Sequence, residues 1–257
     1  MHCSFSTVSR KSARLAACVV AALCGLPVAA QTSEPSTNDW KYELVPYLWI
    51  PSVSTNLMLG PLPGNITRSS SSILDALDFF AMGSFEARKG NWGGLLDIQY
   101  VKFGMPNQFA GGLPGGFTAE FEDSIVNMLG TYRVMDAPVS FDLLGGARYV
   151  HASTNVTIAP NLPGLERQLD DSVGWWNGVV GVRAIAPLAD KWSLSGYLDY
   201  GSGSSSSSWQ GVAGVSYALS PAISLKGGYR YLSLKRDEGL LNKLTLSGFY
   251  VGAGFKF

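Results

Sequence analysis

The sequence predicts an all-β protein: a closed antiparallel transmembrane β-barrel of about 10 strands (8–12), with short periplasmic turns and longer outer loops. Three observations predict it. The chain begins with an export signal, the rest of it alternates apolar and polar residues, and tight and long connections follow one another in turn. Only 15% of the residues are charged, against about 25% in ordinary soluble domains.

Residues 1–30 have the organisation of a cleaved secretory signal peptide. Basic residues come first, an apolar stretch runs from Leu15 to Leu26, and small residues end the segment at Ala30. The apolar stretch is too short for a membrane-spanning helix. We therefore expect cleavage after Ala30, and export through the inner membrane.

Cleavage changes the chemistry available to the mature chain. All three cysteines lie in the removed segment, and His151 is left as the single histidine. Three of 19 basic residues leave and no acid does, so the formal charge becomes 16 − 19 = −3. We expect no metal site and no cofactor, because the usual Cys and His ligands are scarce. The charge also argues against a nucleic-acid-binding protein.

Residues 31–39 are polar and are predicted to be a periplasmic lead-in to a barrel domain over 40–257. Within this domain, apolar and polar residues alternate with period two, as expected of strands with one face in contact with lipid. We count ten such segments: 40–51, 78–89, 92–104, 117–134, 139–158, 173–186, 191–200, 208–218, 222–234 and 244–257.

The connections between these segments alternate in length. Tight turns are predicted near residues 90, 137, 189 and 220, and longer connections at 52–77, 106–117, 159–171, 201–208 and 235–243. Bacterial membrane barrels show this alternation, with short turns on the periplasmic side. In the first long connection, we expect a strand extension to Arg68 with a turn at 61–64, then a short helix capped by Ser72.

If the apolar faces contact lipid, the charged side chains face the lumen. Ten strands leave little free space inside a barrel, so side chains of both signs should interdigitate as ion pairs. The predicted lumen-lining set is Lys41, Glu43, Glu86, Arg88, Asp97, Arg133, Asp142, Arg148, Arg183, Asp199, Lys226, Arg230 and Lys256.

His151 and Ser153 lie two residues apart and so share one strand face. A histidine next to a serine can activate the hydroxyl as a nucleophile. The pair is similar to the His-x-Ser element of outer-membrane lipid A deacylases, but Thr154 separates Ser153 from Asn155, whereas those enzymes have the Asn directly after the Ser. A polar girdle at the strand end is the interpretation we prefer, so the sequence predicts a protein that is not an enzyme.

Several phrases together resemble one class of protein: WKYELVPYLWIP at 40–51, GWWNGVVGVR at 174–183, GGYRYL at 227–232 and the terminal GFKF. They are similar to the small, largely uncharacterised outer-membrane β-barrel proteins of Gram-negative bacteria, broadly OmpA- and OmpW-like barrels. The resemblance implies a location in the cell outer membrane, surrounded by lipid and lipopolysaccharide. It also implies that the barrel-assembly machinery reads the last strand through Phe249, Val251, Phe255 and Phe257. It implies no activity.

Three functions remain open on the sequence alone. The first is a structural or surface barrel whose narrow, charge-filled lumen allows at most slow passage of small solutes. The second is a dedicated narrow channel for a small solute, gated by the 52–77 segment. The third is a lipid-modifying hydrolase that uses His151 and Ser153. The sequence identifies neither a solute nor an oligomeric state.

Overall fold

The computed structural model describes residues 39–59, 62–71, 77–106, 115–160, 167–237 and 241–257. The predicted signal peptide and most of the lead-in lie outside these ranges. The strands are β1 Lys41–Leu59, β2 Leu62–Arg68, β3 Leu77–Lys89, β4 Trp92–Pro106, β5 Gly115–Met135, β6 Ser140–Pro160, β7 Arg167–Ala189, β8 Trp192–Ser202, β9 Ser206–Ala218, β10 Ile223–Arg236 and β11 Leu241–Lys256.

Ten of these strands form a closed antiparallel barrel. From β3 to β11 each strand pairs with the next one in the sequence, and β1 pairs with both β3 and β11. The closure is completed by two backbone hydrogen bonds between Tyr42 and Phe257, with N···O distances of 3.0 and 3.1 Å. The predicted ten-stranded closed barrel is therefore confirmed.

The remaining strand, β2, extends the barrel wall at its outer end. It pairs with β1, from Val53 opposite Arg68 to Leu59 opposite Leu62. This is the strand extension that the sequence predicts. Ser70 and Ser71 are helical, and the rest of the predicted short helix, 72–76, lies outside the described residues.

Four short turns lie at the same end of the barrel as both chain ends. They connect β3 to β4, β5 to β6, β7 to β8 and β9 to β10, at the places predicted for the periplasmic turns. The connection predicted as a loop over 201–208 is shorter than expected, because β8 ends at Ser202 and β9 begins at Ser206. The serines of this run belong to the strand because side chains in the lumen form hydrogen bonds with them, as described below.

The outward face of the barrel carries two belts of aromatic rings. Trp92 packs on Tyr132 and Trp192 on Tyr217 near the periplasmic turns, whereas Tyr149 packs on Trp176 and Trp209 on Tyr231 near the outer loops. Such rings favour the two interfaces of a bilayer. These two sets of rings are named the periplasmic and the outer aromatic belt.

The spacing between the belts fits a membrane. In β8, Trp192 and Tyr200 are both exposed and lie eight positions apart, which is about 26 Å along a strand. Apolar side chains between them are exposed, including Leu194, Leu198 and Val180 on the neighbouring strand. Because barrel strands are tilted by about 35–45°, this length corresponds to a band about 18–21 Å tall, comparable to the apolar girdle of about 25 Å of membrane barrels. Within the described part of the chain, no helix is long and apolar enough to cross a bilayer.

The inward face contains two apolar clusters separated by polar side chains. The outer apolar cluster consists of buried side chains in the half of the barrel towards the outer loops: Trp49, Ile125, Val150, Trp175, Leu232, Leu234 and Leu244. A smaller inner apolar cluster comprises Leu129, Leu144 and Val179. On β5, Asn127 lies between the two, and Arg133 lies beyond Leu129 towards the periplasm.

Candidate functional site in the lumen

The lumen is filled at its periplasmic end by a charged network. Arg183 on β7 reaches across to Glu86 on β3 and forms two bonds of 2.7 Å, one to each carboxylate oxygen. Asp142 accepts hydrogen bonds from Arg88 (3.0 Å), Arg133 (2.6 Å) and Arg183 (2.7 Å). Paired forks of this kind are the strongest charge-assisted hydrogen bonds in proteins. The periplasmic network therefore joins strands on opposite sides of the barrel.

The charges of this network balance. Three guanidinium groups face the carboxylates of Glu86 and Asp142, and the third negative charge comes from Asp136 in the β5–β6 turn, 2.5 Å from Arg133. The hydrogen bond from Arg133 lowers the pKa of this exposed Asp136 carboxyl below its usual value. A separate pair, Lys226 and Glu43, is bridged at 2.8 Å. Net neutrality keeps the cost of burying so many charges low.

A second network crosses the middle of the lumen around Arg230. This buried guanidinium donates to Tyr47 Oη at 2.9 Å, to Asp97 at 2.8 Å and to Gln210 at 2.7 Å. It also lies 5.0 Å from the centre of the Trp49 ring, in a cation–π arrangement. Because β10 and β4 lie on nearly opposite sides of the barrel, the Arg230–Asp97 pair spans the lumen.

Arg148 extends this middle network around the wall. It donates to Asn127 at 2.6 Å, to Ser208 at 2.9 Å and to Asp199 at 2.5 Å. Asn127 in turn donates to Asp97 at 3.2 Å, which connects the two arginines through one chain of hydrogen bonds. Two arginines and two aspartates give the middle network no net charge.

The outer apolar cluster covers the middle network on the side of the outer loops. Trp49, Leu232 and Leu234 are at most 3% exposed. Trp49 donates its indole N–H to the carbonyl of Gly248 at 3.2 Å, which holds the ring beside Arg230. From the periplasm outwards, the described lumen thus contains the charged periplasmic network, the inner apolar cluster, the middle network and the outer apolar cluster in succession.

Eleven of the thirteen side chains predicted to line the lumen take part in these contacts. They are Glu43, Glu86, Arg88, Asp97, Arg133, Asp142, Arg148, Arg183, Asp199, Lys226 and Arg230. The other two, Lys41 and Lys256, are exposed near the chain ends at the periplasmic rim.

The sequence reasoning missed the neutral side chains that join the charged ones. Asn127, Gln210 and Ser208 are at most 4% exposed, and each bonds to a buried arginine. Tyr47 and Tyr197 donate to the two aspartates of the middle network, at 2.6 and 2.5 Å. The alternation of strand faces could have identified them. Each of these residues lies an even number of positions from a predicted lumen residue of the same strand, or from the residue that pairs with one on the neighbouring strand.

His151 and Ser153 lie on the opposite face of β6 from the lumen. They alternate with Val150, which is 2% exposed and belongs to the outer apolar cluster, and they share the face of Tyr149, which packs on the exposed Trp176. The two side chains thus share one face, as predicted. No carboxylate in the described part of the chain is bonded to the imidazole, so an orienting acid for a catalytic His is not seen there.

The residues of the predicted assembly signal also face outwards. Phe249, Val251 and Phe257 are 76%, 61% and 69% exposed, and Phe255 on the same face is partly exposed. They alternate along β11 with Gly248, Tyr250 and Gly252, which face the lumen side. The last strand therefore presents an apolar, aromatic-ended face to the lipid.

No protein-family model matches the chain, and no curated protein matches it. Among solved structures it is similar to the outer membrane protease OmpT from Escherichia coli (TM-score 0.48, 9% identity, 89% of this chain and 99% of that chain). It is also similar to Ail, the attachment invasion locus protein of Yersinia pestis (0.34, 12%, 86% and 99%). A third is Neisserial surface protein A (0.31, 16%, 88% and 100%). These neighbours are outer-membrane β-barrels of Gram-negative bacteria, and the likeness concerns the fold alone.

Proposed function

We propose that this protein is an integral barrel of the Gram-negative outer membrane whose lumen is closed by its own side chains. Its role is structural or at the cell surface, with at most slow passage of small solutes, and it is not an enzyme. The observation that carries the proposal is the continuous chain of buried bonds from Arg230 through Asp97, Asn127 and Arg148 to Asp199.

Opening a pore through this chain of hydrogen bonds would cost free energy. Arg148 and Asp199 have fully buried side chains, and Arg230 and Asp97 are nearly so. A hydrated solute would have to separate such pairs, and removing one partner of a buried pair costs about 3–5 kcal/mol. The outer apolar cluster adds a second layer that water does not wet favourably. Both layers support a barrel that is closed at rest.

Planar-bilayer recording tests this proposal against a dedicated channel. We expect the wild-type protein to give no discrete, reproducible openings. The double variant Trp49→Ala/Arg230→Ser, which removes a ring from the outer cluster and the centre of the middle network, should leak. The matched control is Val180→Ala, a lipid-facing change that should behave as wild type, and heat-dependent gel mobility shows which variants are folded. Regular wild-type openings of one size would refute the closed lumen.

Export through a cleaved signal is part of the same proposal. Outer-membrane fractions of an expressing Gram-negative host should contain a mature chain whose N-terminal sequence begins at Gln31. A chain that keeps residues 1–30, or that fractionates with the soluble periplasm, would contradict the proposed location.

A further inference from the structure

Two lysines face each other on the outward surface of the barrel at its outer end. Lys235 on β10 is directly opposite Lys243 on β11 in the antiparallel ladder. The adjacent Leu234 and Leu244 belong to the outer apolar cluster inside the barrel, so both lysines point away from the lumen. Lys235 is exposed and Lys243 is partly exposed. Directly opposite residues lie about 5 Å apart, so both ammonium groups can contact one ligand. We call these two residues the lysine pair.

The lysine pair has no anionic partner within the described ranges. Neither side chain forms a salt bridge there, and the exposed Asp237 at the end of β10 forms none with them. Like charges placed directly opposite each other destabilise a sheet. Lys102, an outward lysine at the same end of the barrel, is instead opposite Glu122. The described protein therefore leaves the positive charge of the lysine pair unbalanced.

The lysine pair lies at the depth of the lipid headgroups. Lys235 is four residues beyond Tyr231, whose ring stacks on Trp209 in the outer aromatic belt. Four residues of a strand tilted by about 40° rise about 10 Å. The polar layer of a leaflet begins at the aromatic belt and is about 5–8 Å thick. The flexible stem of a lysine lets the ammonium group bend back into this layer, where it meets charged headgroups of the outer leaflet.

The outward face of β11 changes from charged to hydroxyl-bearing to apolar towards the periplasm. After Lys243 come Thr245 and Ser247, which are both partly exposed. Phe249 and Val251 follow on the same face and are 76% and 61% exposed. One strand therefore presents three kinds of surface at successive depths of the leaflet.

The neighbouring strand β1 has the same order. Ser54 and Ser52 lie opposite the two hydroxyl-bearing residues of β11, and Ile50 and Leu48 lie opposite the two apolar ones. The wall formed by β10, β11 and β1 thus carries cations, hydroxyl groups and apolar side chains in succession. A phosphorylated glycolipid carries its phosphate, its sugar hydroxyl groups and its acyl chains in the same order.

We propose that this wall binds lipopolysaccharide of the outer leaflet, with a phosphate monoester of its lipid A anchor held between Lys235 and Lys243. A phosphate monoester carries about two negative charges near pH 7, which match the two ammonium groups, whereas the phosphodiester of an ordinary phospholipid carries one. The sugar lies along Thr245 and Ser247, and the acyl chains lie along Phe249. The inference rests on the proposed location in the outer membrane and makes no use of the closed lumen.

Native mass spectrometry of the folded protein in detergent measures this binding. The probes are lipid A with both phosphates, phosphate-free lipid A and phosphatidylglycerol, with inorganic phosphate as a competitor. We expect one lipid A per barrel, bound at least tenfold more tightly than phosphatidylglycerol and not displaced by millimolar inorganic phosphate. Lys235→Gln/Lys243→Gln should weaken lipid A at least tenfold and leave phosphate-free lipid A unchanged, because the charge-assisted hydrogen bonds to the phosphate are lost.

Lys102→Gln is the matched control, because this outward lysine is opposite a carboxylate. It should bind lipid A as wild type does. Lys235→Arg/Lys243→Arg keeps both charges and should retain binding. Equal affinity of wild type and Lys235→Gln/Lys243→Gln for lipid A would overturn the site, as would equal affinity of wild type for lipid A with and without phosphates. Displacement by inorganic phosphate would show a site for the free ion and would also overturn the proposal.

Unfolding in vesicles distinguishes a lipid site from pairing of the lysines within the protein. In phosphatidylcholine alone, Lys235→Gln/Lys243→Gln should be at least as stable as wild type, because it lacks the repulsion between opposite lysines. Added lipid A should stabilise wild type and not this variant, since a ligand of the folded state shifts the unfolding equilibrium. A variant less stable than wild type without lipid A would overturn the proposal. A barrel that fractionates with the outer membrane but binds no lipid A would refute the site and leave the proposed location intact.

Discussion

Arg148 on β6 and Asp199 on β8 meet inside the barrel across the intervening strand, with 2.5 Å between Nη2 and Oδ2. Neither side chain is accessible to solvent. The arginine also bonds to Asn127 and Ser208, and the aspartate accepts from Tyr197. All three guanidinium nitrogens of Arg148 donate hydrogen bonds, and Asp199 Oδ2 accepts two, whereas Asp199 Oδ1 has no partner among the described residues. The bonds around Arg148 and Oδ2 offset much of the cost of burying the two charges.

Replacing Arg148 alone should destabilise the barrel strongly. Arg148→Met leaves Asp199 buried without its cation, so we expect the free energy of unfolding to fall by about 3–5 kcal/mol. The double variant Arg148→Met/Asp199→Leu removes both charges and should recover at least half of that loss. Urea unfolding in phospholipid vesicles, followed by tryptophan fluorescence, measures both values.

Lys226→Met is the matched control, because Lys226 and Glu43 remain 25% and 21% exposed. This pair is more exposed than Arg148 and Asp199, so Lys226→Met should lose less free energy of unfolding than Arg148→Met does. If the double variant were less stable than Arg148→Met, the pair itself and not an orphaned charge would be the main source of stability.

Gly146 is required by the close approach of β5 and β6. A Cβ atom there would lie 2.1 Å from the carbonyl oxygen of Met128 and 2.9 Å from Leu129 Cα, and both atoms belong to backbone that cannot rotate away. Gly146→Ala should therefore lower the free energy of unfolding by about 1–3 kcal/mol. In Gly94→Ala the new methyl meets nothing within 4 Å, so this control should remain within about 0.5 kcal/mol of wild type. Equal stability of the two variants would contradict the close approach.

The fold could be predicted because a barrel strand carries its orientation in its own sequence. Successive side chains of a strand point to opposite faces. Once one inward residue such as Asp97 is known, the face of each remaining residue of β4 therefore follows. The same rule, applied strand by strand, found Arg148 and Arg183. The short turns gave the direction of the barrel in the membrane.

The pairing of these side chains could not be predicted in the same way. Arg183 and Glu86 are 97 positions apart and meet only because the barrel closes with a particular stagger of its strands, which no single segment encodes. The serine run was also misjudged. Serine and glycine favour turns, but Ser206 and Ser208 belong to β9, where Asn177 and Arg148 bond to their hydroxyl groups.

The stability of the barrel should depend on pH through Asp123. This residue lies one position beyond Ser124 towards the outer loops, and Ser124 is opposite Tyr100, whose ring packs on the exposed Phe79 near the outer aromatic belt. Partial burial, together with the neighbouring Glu122 carboxylate, raises the pKa of Asp123 to about 7. The folded state thus holds the proton more tightly than the unfolded chain. The resulting stabilisation is complete below about pH 4 and is lost as the pH rises through 7.

Asp123→Asn should remove this pH dependence. Between pH 4 and 8 we expect the wild-type free energy of unfolding to fall by about 2–4 kcal/mol more than that of the variant. The control is Asp136→Asn, because the pKa of Asp136 is lowered and its contribution is lost only as the pH falls below about 4. From pH 5 to 8, the free energy of unfolding of this control should change with pH as that of the wild type does. Parallel curves for wild type and Asp123→Asn would contradict the assignment.

Phe257, which belongs to the predicted assembly signal, should matter for assembly in the cell more than for stability. Phe257 is 69% exposed, and its ring packs on Tyr42 with centroids 5.7 Å apart. Phe257→Ala keeps the two backbone hydrogen bonds to Tyr42 that close the barrel. Refolding of the purified variant into vesicles should therefore proceed nearly as in wild type, whereas the folded fraction in the outer membrane should fall several-fold.

Phe79→Ala is the matched control for this change, since Phe79 lies on β3, outside the predicted assembly signal, is 54% exposed and packs on Tyr100 at 5.8 Å. Both variants lose one lipid-facing ring, and only Phe257→Ala alters the predicted assembly signal. The folded fraction is read from unheated and heated outer-membrane samples on the same gel. An equal defect in the two variants would mean that lipid-facing aromatic area, and not the assembly signal, governs assembly.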